Sequence, residues 1–144
     1  MKKLLFILTL THILSCNLED DNSNIENNCD FTSEIILEEG FNAINTSNYA
    51  ITEIELIDDC LEITFGSSGC GTDLWEENLY SAGANNSGFV FLQRDVKMEL
   101  INNEVCLAVF QKTVSFDLTP FQIDGLSDLP LNINGWNEQI TYGY

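Results

Sequence analysis

Residues 60–65, CLEITF, put Leu61, Ile63 and Phe65 on one side of the chain and Cys60, Glu62 and Thr64 on the other. A period of two belongs to an extended strand with one dry face and one wet face; a helix cannot present it. The preceding run, AITEIELI at 50–57, alternates in part, and Asp58-Asp59 between the two runs supplies a turn, so 50–65 predicts a hairpin. Two longer β-rich runs, FVFLQRDVKMELI at 89–101 and VCLAVFQKTVSFDL at 105–118, flank Asn102-Asn103-Glu104 and predict a second hairpin. LPLNI at 129–133 and QITYGY at 139–144 predict a third, with Asn134-Gly135 able to take the positive φ angles of a tight turn. SEIILEEGFNAI at 33–44 fits a short helix or a strand. No segment sustains a helical period. Seven to nine short strands with no helices between them predict an all-β fold, an antiparallel β-sandwich with the immunoglobulin-like arrangement among its forms.

The N-terminus reads differently. Met1-Lys2-Lys3 is cationic, and Leu4 to Leu14 is apolar apart from Thr9, Thr11 and His12, the pattern of a secretory signal. As a helix this stretch rises only about 16 Å, roughly half the hydrocarbon thickness of a bilayer, which predicts a cleaved signal rather than a retained span. Its end, Ile13-Leu14-Ser15-Cys16, resembles the bacterial lipobox. The resemblance implies cleavage before Cys16 and lipid on that cysteine, and two or three acyl chains suffice for stable membrane attachment. Asn17 stands where a retention aspartate would favour the inner membrane, so outer-membrane sorting is expected. Glu19-Asp20-Asp21 resembles the acidic surface-export signals of Bacteroidota lipoproteins; a solvated spacer on a periplasm-facing protein is the alternative.

The expected organisation is a signal at 1–15, a lipidated cysteine and tether at 16–28, and one domain at 29–144. The tether, NLEDDNSNIENN, offers almost nothing to a core. Without the signal the chain keeps all 23 acids against Arg94, Lys97 and Lys112, a net charge of −20. Nucleic acid and anionic lipid surfaces are repelled by such a chain. Solubility explains most of the acidity, and calcium or a cationic partner would also suit it.

Cys29, Cys60, Cys70 and Cys106 remain after Cys16, an even number in an exported chain, and predict two disulfides. Their spacing contains no C-x₂-C unit, so no metal site is expected. Three connectivities are open, with Cys60 or Cys70 as the expected partner of Cys106.

His12 is the sole histidine and leaves with the signal. The mature chain therefore lacks the parts for Ser-His-Asp or Cys-His catalysis and for histidine-ligated zinc. Lys97 and Lys112 fall at mid-strand positions, where a solvated sheet face is the ordinary reading of a lysine. No acid pair stands out among the 23 carboxylates, so no catalytic residue and no cofactor are expected. GSSGCGTDLW at 66–75 has glycines but neither the spacing nor the lysine of a phosphate loop. It reads as a disulfide-pinned loop in which Asp73, Trp75, Glu76 and Glu77 set an aromatic among acids, a candidate binding loop; the first reading for Trp75 itself, as for Trp136, is the core. SAGANNSG at 81–88 reads as a mobile loop, and its N-x-S pattern, like NTS at 45–47, is no evidence of glycosylation in a bacterial chain.

DDCLEI, then SGCG before Trp75, then NNEVCLAVFQKTVSFDL and LNINGWNEQITYGY, resemble a family of small uncharacterised lipoproteins from the Bacteroidota across residues 49–144. The resemblance implies an exported β-rich domain and brings no activity or catalytic residue with it. Elimination leaves a non-enzymatic binding or structural module of the outer envelope contacting a protein or glycan. An inhibitor of a secreted hydrolase such as lysozyme or a protease is second, and a carboxylate-based glycan hydrolase third.

Overall fold

The computed structural model describes residues 28–83 and 93–144, and in them the period of two becomes nine strands. In chain order these are β1 (Phe31–Thr32), β2 (Glu34–Ile36), β3 (Ala50–Ile57), β4 (Cys60–Gly69), β5 (Glu76–Ala82), β6 (Arg94–Ile101), β7 (Ala108–Asp117), β8 (Asp128–Ile133) and β9 (Ile140–Gly143). One short helix, α1 (Glu38–Ala43), follows β2, and a 3-10 turn at Thr119–Phe121 follows β7. Segment 33–44 thus splits into a strand and a helix, with Leu37 as the extended residue between them.

The strands form two sheets, one ordered β1-β7-β4-β3 and the other β2-β5-β6-β8-β9. In the first, Leu61, Ile63 and Phe65 of β4 stand opposite Phe116, Val114 and Lys112 of β7. Directly opposed residues share a face, so this row looks inward. In the second, Leu79 and Ser81 of β5 oppose Met98 and Val96 of β6. The two rows meet in one core with Phe121, Leu129, Leu131 and Tyr142, all fully buried. Each enclosed apolar side chain contributes roughly 1.5–3 kcal/mol, which makes this contact the main source of stability.

The sandwich is braced by two disulfides, Cys29–Cys60 and Cys70–Cys106, with Cα atoms 5.6 and 5.0 Å apart. Cys106 takes Cys70, and Cys60 takes Cys29 instead of Cys106. The sheets are mixed: β1–β7, β2–β5 and β6–β8 run parallel, and the other pairs are antiparallel. Two parallel contacts arise because the chain enters through β1 on one sheet and crosses at Ser33 to β2 on the other.

Hairpins form where turn chemistry and alternation agree. β3 and β4 pair from Ala50–Gly66 to Ile57–Cys60, and Asp58 takes a φ of 51°, an angle aspartate tolerates. β8 and β9 pair as well, with Gly135 at φ 86° and the Trp136 N–H bonded to the Ile133 carbonyl.

The second expected hairpin is overturned. β6 pairs with β5 and β8, whereas β7 pairs with β4 and β1, so the two runs around Asn102-Asn103-Glu104 lie on opposite sheets. Both strands carry a largely apolar inner face, Val96, Met98 and Leu100 on β6 and Phe110, Val114 and Phe116 on β7, and an arch lets the two faces look at each other across the core. A hairpin would set them side by side. Residues 89–92 of the first run, 84–88 of the asparagine-rich segment, and 1–27 lie outside the described residues.

Candidate functional site

Strand β4 carries a disulfide at each end, Cys60 at its first residue and Cys70 just past its last. Ten residues of strand separate the two by roughly 30 Å, so the bridges mark opposite poles of the sandwich. Cys29, where the described chain enters, is fixed at one pole. The other is formed by the β4–β5 loop and the β6–β7 arch.

At that second pole the apolar side chains face water. Val105, Leu107, Val109 and Leu74 are 91, 90, 76 and 74% exposed. They are carried by the segments that Cys70–Cys106 joins, and the backbone beneath them is held firmly. Glu104 accepts hydrogen bonds from the Cys70 N–H (3.0 Å) and the Trp75 indole Nε1 (3.2 Å) through one carboxylate oxygen. Asn102 donates to the Ser68 carbonyl at 2.8 Å and accepts from the Glu104 N–H at 2.9 Å. Gly69 is required under this knot, because a Cβ there would stand 2.5 Å from that Glu104 oxygen and 3.0 Å from the Trp75 nitrogen. A rigid loop with exposed aliphatic side chains loses little conformational entropy when it is covered.

The expected binding loop divides at this pole. Trp75 is buried against Phe65, with ring centroids 5.8 Å apart, and Trp136 also packs half-buried on the core. Glu77 is enclosed between the sheets, and only Asp73 and Glu76 face solvent. Trp75 therefore shapes the tip from beneath.

The three cations in the described residues are all consumed by the fold. Lys112 reaches across the sandwich to both carboxylate oxygens of Glu77, at 2.7 and 2.9 Å. Lys97 donates to the Phe41 carbonyl at 2.9 Å and stands 4.6 Å from that ring's centroid. Buried Arg94 donates through Nε to the Phe121 carbonyl at 2.8 Å, its guanidinium 5.7 Å from the Phe121 ring centroid. The solvent-facing charge is left acidic. Neither lysine is placed to activate a serine.

Among the described residues no two buried carboxyls face each other. A glycan hydrolase of this kind needs two facing carboxyls in a cleft, with one held protonated. Among the described residues Glu77 is the sole buried carboxylate, and Lys112 holds it. Glu53, Glu55 and Glu62 line an open cleft of about 180 Å³ on the outer face of the first sheet, together with Thr64 and Thr113. No group of three or more His, Cys, Asp or Glu among the described residues could hold a metal ion.

Burial raises the Tyr80 phenol and, more strongly, two others. Burial pushes Tyr49 up to about 12, and its hydroxyl donates to the Met98 carbonyl at 2.6 Å. Tyr142 is raised further, chiefly by burial and then by its hydrogen bond to Asp59. Both are structural, because each hydroxyl is spent on a fixed partner in the fold.

Cys16 and the acidic triplet lie outside the described residues, and no helix among the described residues is long and apolar enough to cross a membrane. The exposed tip escaped the reading of 105–118 as one strand. Its parity was the available signal: Phe110, Val114 and Phe116 are even-numbered and inward, so odd-numbered Val105, Leu107 and Val109 fall on the wrong side for the core.

No family model matches the chain and no curated protein matches it. Two solved structures share its fold. One is DUF1344, a protein of unknown function from Bacteroides vulgatus, at 18% identity and a TM-score of 0.50 over 79% of this chain and 56% of that one. The other, from Parabacteroides distasonis, is named as toxin-related and aligns at 16% identity and a TM-score of 0.53 over 79% of this chain and 59% of that one. The present chain thus spans less than two thirds of either, and the likeness is one of fold, shared with uncharacterised proteins of the Bacteroidota.

Proposed function

We propose that the chain is a lipoprotein, acylated at Cys16, held on the outer membrane and displayed at the cell surface, whose domain is a non-enzymatic binding module working through its apolar tip. The observation that carries this reading is the set of four aliphatic side chains, 74–91% exposed, on the β4–β5 loop, the arch and the start of β7, which Cys70–Cys106 and Glu104 lock together. Exposed aliphatic clusters on fixed loops mark contact surfaces. The poles add support: an anchor leading to Cys29 leaves the tip at the far end of β4, turned away from the membrane.

Two measurements test it. Intact mass of the membrane-extracted protein is expected to show a chain starting at Cys16 with acyl mass added, and an unacylated chain would refute the anchor. Protease on intact cells, with a periplasmic protein as intactness control, is expected to digest the domain. Protection until the outer membrane is opened would place it in the periplasm. The Val105→Ser/Leu107→Ser double variant is expected to fold with native stability and to lose its crosslinked partner on cells.

A second reading, inhibition of a secreted hydrolase, is favoured by the same geometry, since Leu107 projects from a rigid loop of an acidic domain. Purified domain that slows lysozyme or a common protease, and fails to do so as Leu107→Ser, would establish it.

A further inference from the structure

The first sheet is left open along one flank. β1 covers only Phe116 and Asp117 of β7, although β7 begins at Ala108. The Ser33 N–H donates to the Asp117 carbonyl, and the Ser115 N–H donates outward to Asp30 Oδ2 at 2.9 Å. The Leu118 N–H bonds instead to Asp59, on the β4 side. Odd-numbered residues of β7 therefore direct their backbone groups away from β4, and the strand's period of two extends this to Thr113, Gln111 and Val109. Among the described residues none of these three makes a backbone bond on that side. All three are exposed. The neighbouring edge of the second sheet is open too, because β2 pairs with β5 only from Tyr80 to Ala82.

We infer that the β7 edge from Val109 to Thr113 is a docking site for an extended basic peptide, which adds to the first sheet as a further strand. Three N–H and three C=O groups in register give such a segment its main-chain bonds, the general basis of strand addition. Charge selects the occupant. The outer face next to this edge carries small Thr113 on β7, then Thr64 and Glu62 on β4, then Glu53 and Glu55 on β3. An added strand would lie about 10 Å from β4, within the combined reach of a lysine and a glutamate across the two threonines. Among the described residues no cation stands on this face, because Lys112 points inward to Glu77 and Arg94 and Lys97 belong to the second sheet. On the inner face the added strand meets Phe110 and the aliphatic stem of Lys112, which favours apolar residues at alternate positions. A second copy of this acidic chain would bring like charge to the same face and is disfavoured.

The inference shares only Val109 with the apolar tip and rests on backbone groups rather than on exposed side chains. Its test uses a blocked peptide of about ten residues alternating Lys and Val, long enough for one strand, with a Glu-Val peptide as control. Amide exchange in the free protein is expected to be fast at Val109, Gln111 and Thr113 and slow at Phe110 and Lys112; the Lys-Val peptide slows the odd-numbered set, and the Glu-Val peptide does not. Gln111→Pro, which removes only an outward N–H, and Gln111→Lys, an exposed change that repels the peptide, are each expected to weaken binding by about tenfold or more. Val105→Ser/Leu107→Ser leaves it unchanged. Slow exchange of the odd-numbered amides before peptide is added would show the edge already covered by this chain or a second copy and overturn the proposal. Equal protection by both peptides, or by neither, would overturn it as well.

Discussion

Lys112 of β7 and Glu77 of β5 join the two sheets through their side chains, the Lys112 ammonium lying 2.7 and 2.9 Å from the two Glu77 carboxylate oxygens. It is the one ion pair among the described residues, and it ties the sheets together beside the strand edges that β1 and β2 leave uncovered. Removing one partner strands an enclosed charge, whereas replacing both with apolar groups of similar size does not. Lys112→Met is expected to lower stability by about 3 kcal/mol, and adding Glu77→Met to recover most of that loss. Urea unfolding of the two variants and the parent checks it.

High pH attacks the fold through Tyr49 and Tyr142. Each is raised in the folded state, so the protonated phenol is the form the fold favours. Their contribution is complete below pH about 10, where unfolded tyrosine begins to ionise, and it fades as pH rises toward the folded values, about 12 for Tyr49. Phenolate absorbance from Tyr49 and Tyr142 is expected to appear together with loss of β-sheet circular dichroism, and its appearance with the sheet intact would contradict this.

Size alone does not decide what an aliphatic or aromatic side chain contributes. Phe65 is fully buried and Leu107 is 90% exposed. Phe65→Ala is expected to cost about 3–5 kcal/mol, and Leu107→Ala less than about 0.5 kcal/mol. Denaturant midpoints of the two variants give the comparison directly.

Each disulfide closes a loop of more than thirty residues, at separations of 31 and 36. Loop-closure entropy gives about 3–4 kcal/mol for each. Cys70→Ser/Cys106→Ser is expected to lose that much and to speed amide exchange at position 70 and at Glu104, while Cys29→Ser/Cys60→Ser loses as much and leaves the tip protected. Peptide mapping without reduction checks the pairing itself.

The local hairpins were legible because turn and alternation coincide in them: Asp58-Asp59 between two alternating runs, and Asn134-Gly135 before the last strand. The arch between β6 and β7 was not. Alternation tells which side chains of a strand face inward and is silent on which of two sheets the strand joins. Asn102 to Leu107 can connect either way, and the choice is made by distant partners, β5 and β8 for one strand and β4 and β1 for the other. The cation sinks were hidden for the same reason. Lys112 reads as surface until Glu77, 35 residues away, is brought over it. Trp75 as a core residue was legible, and the aliphatic tip it supports was readable only through the parity of Val105, Leu107 and Val109.

The Cys29–Cys60 bridge also has a mechanical consequence. β1 is two residues long, and a pull on the chain ahead of it would unzip so short a strand at small force. Because Cys29 is bonded to Cys60, the load passes into β4, which is paired along its length with β3 and β7. Tension then acts along several ladders in shear rather than on one in peeling. A load applied ahead of Cys29 is thus borne by the sheet rather than by β1.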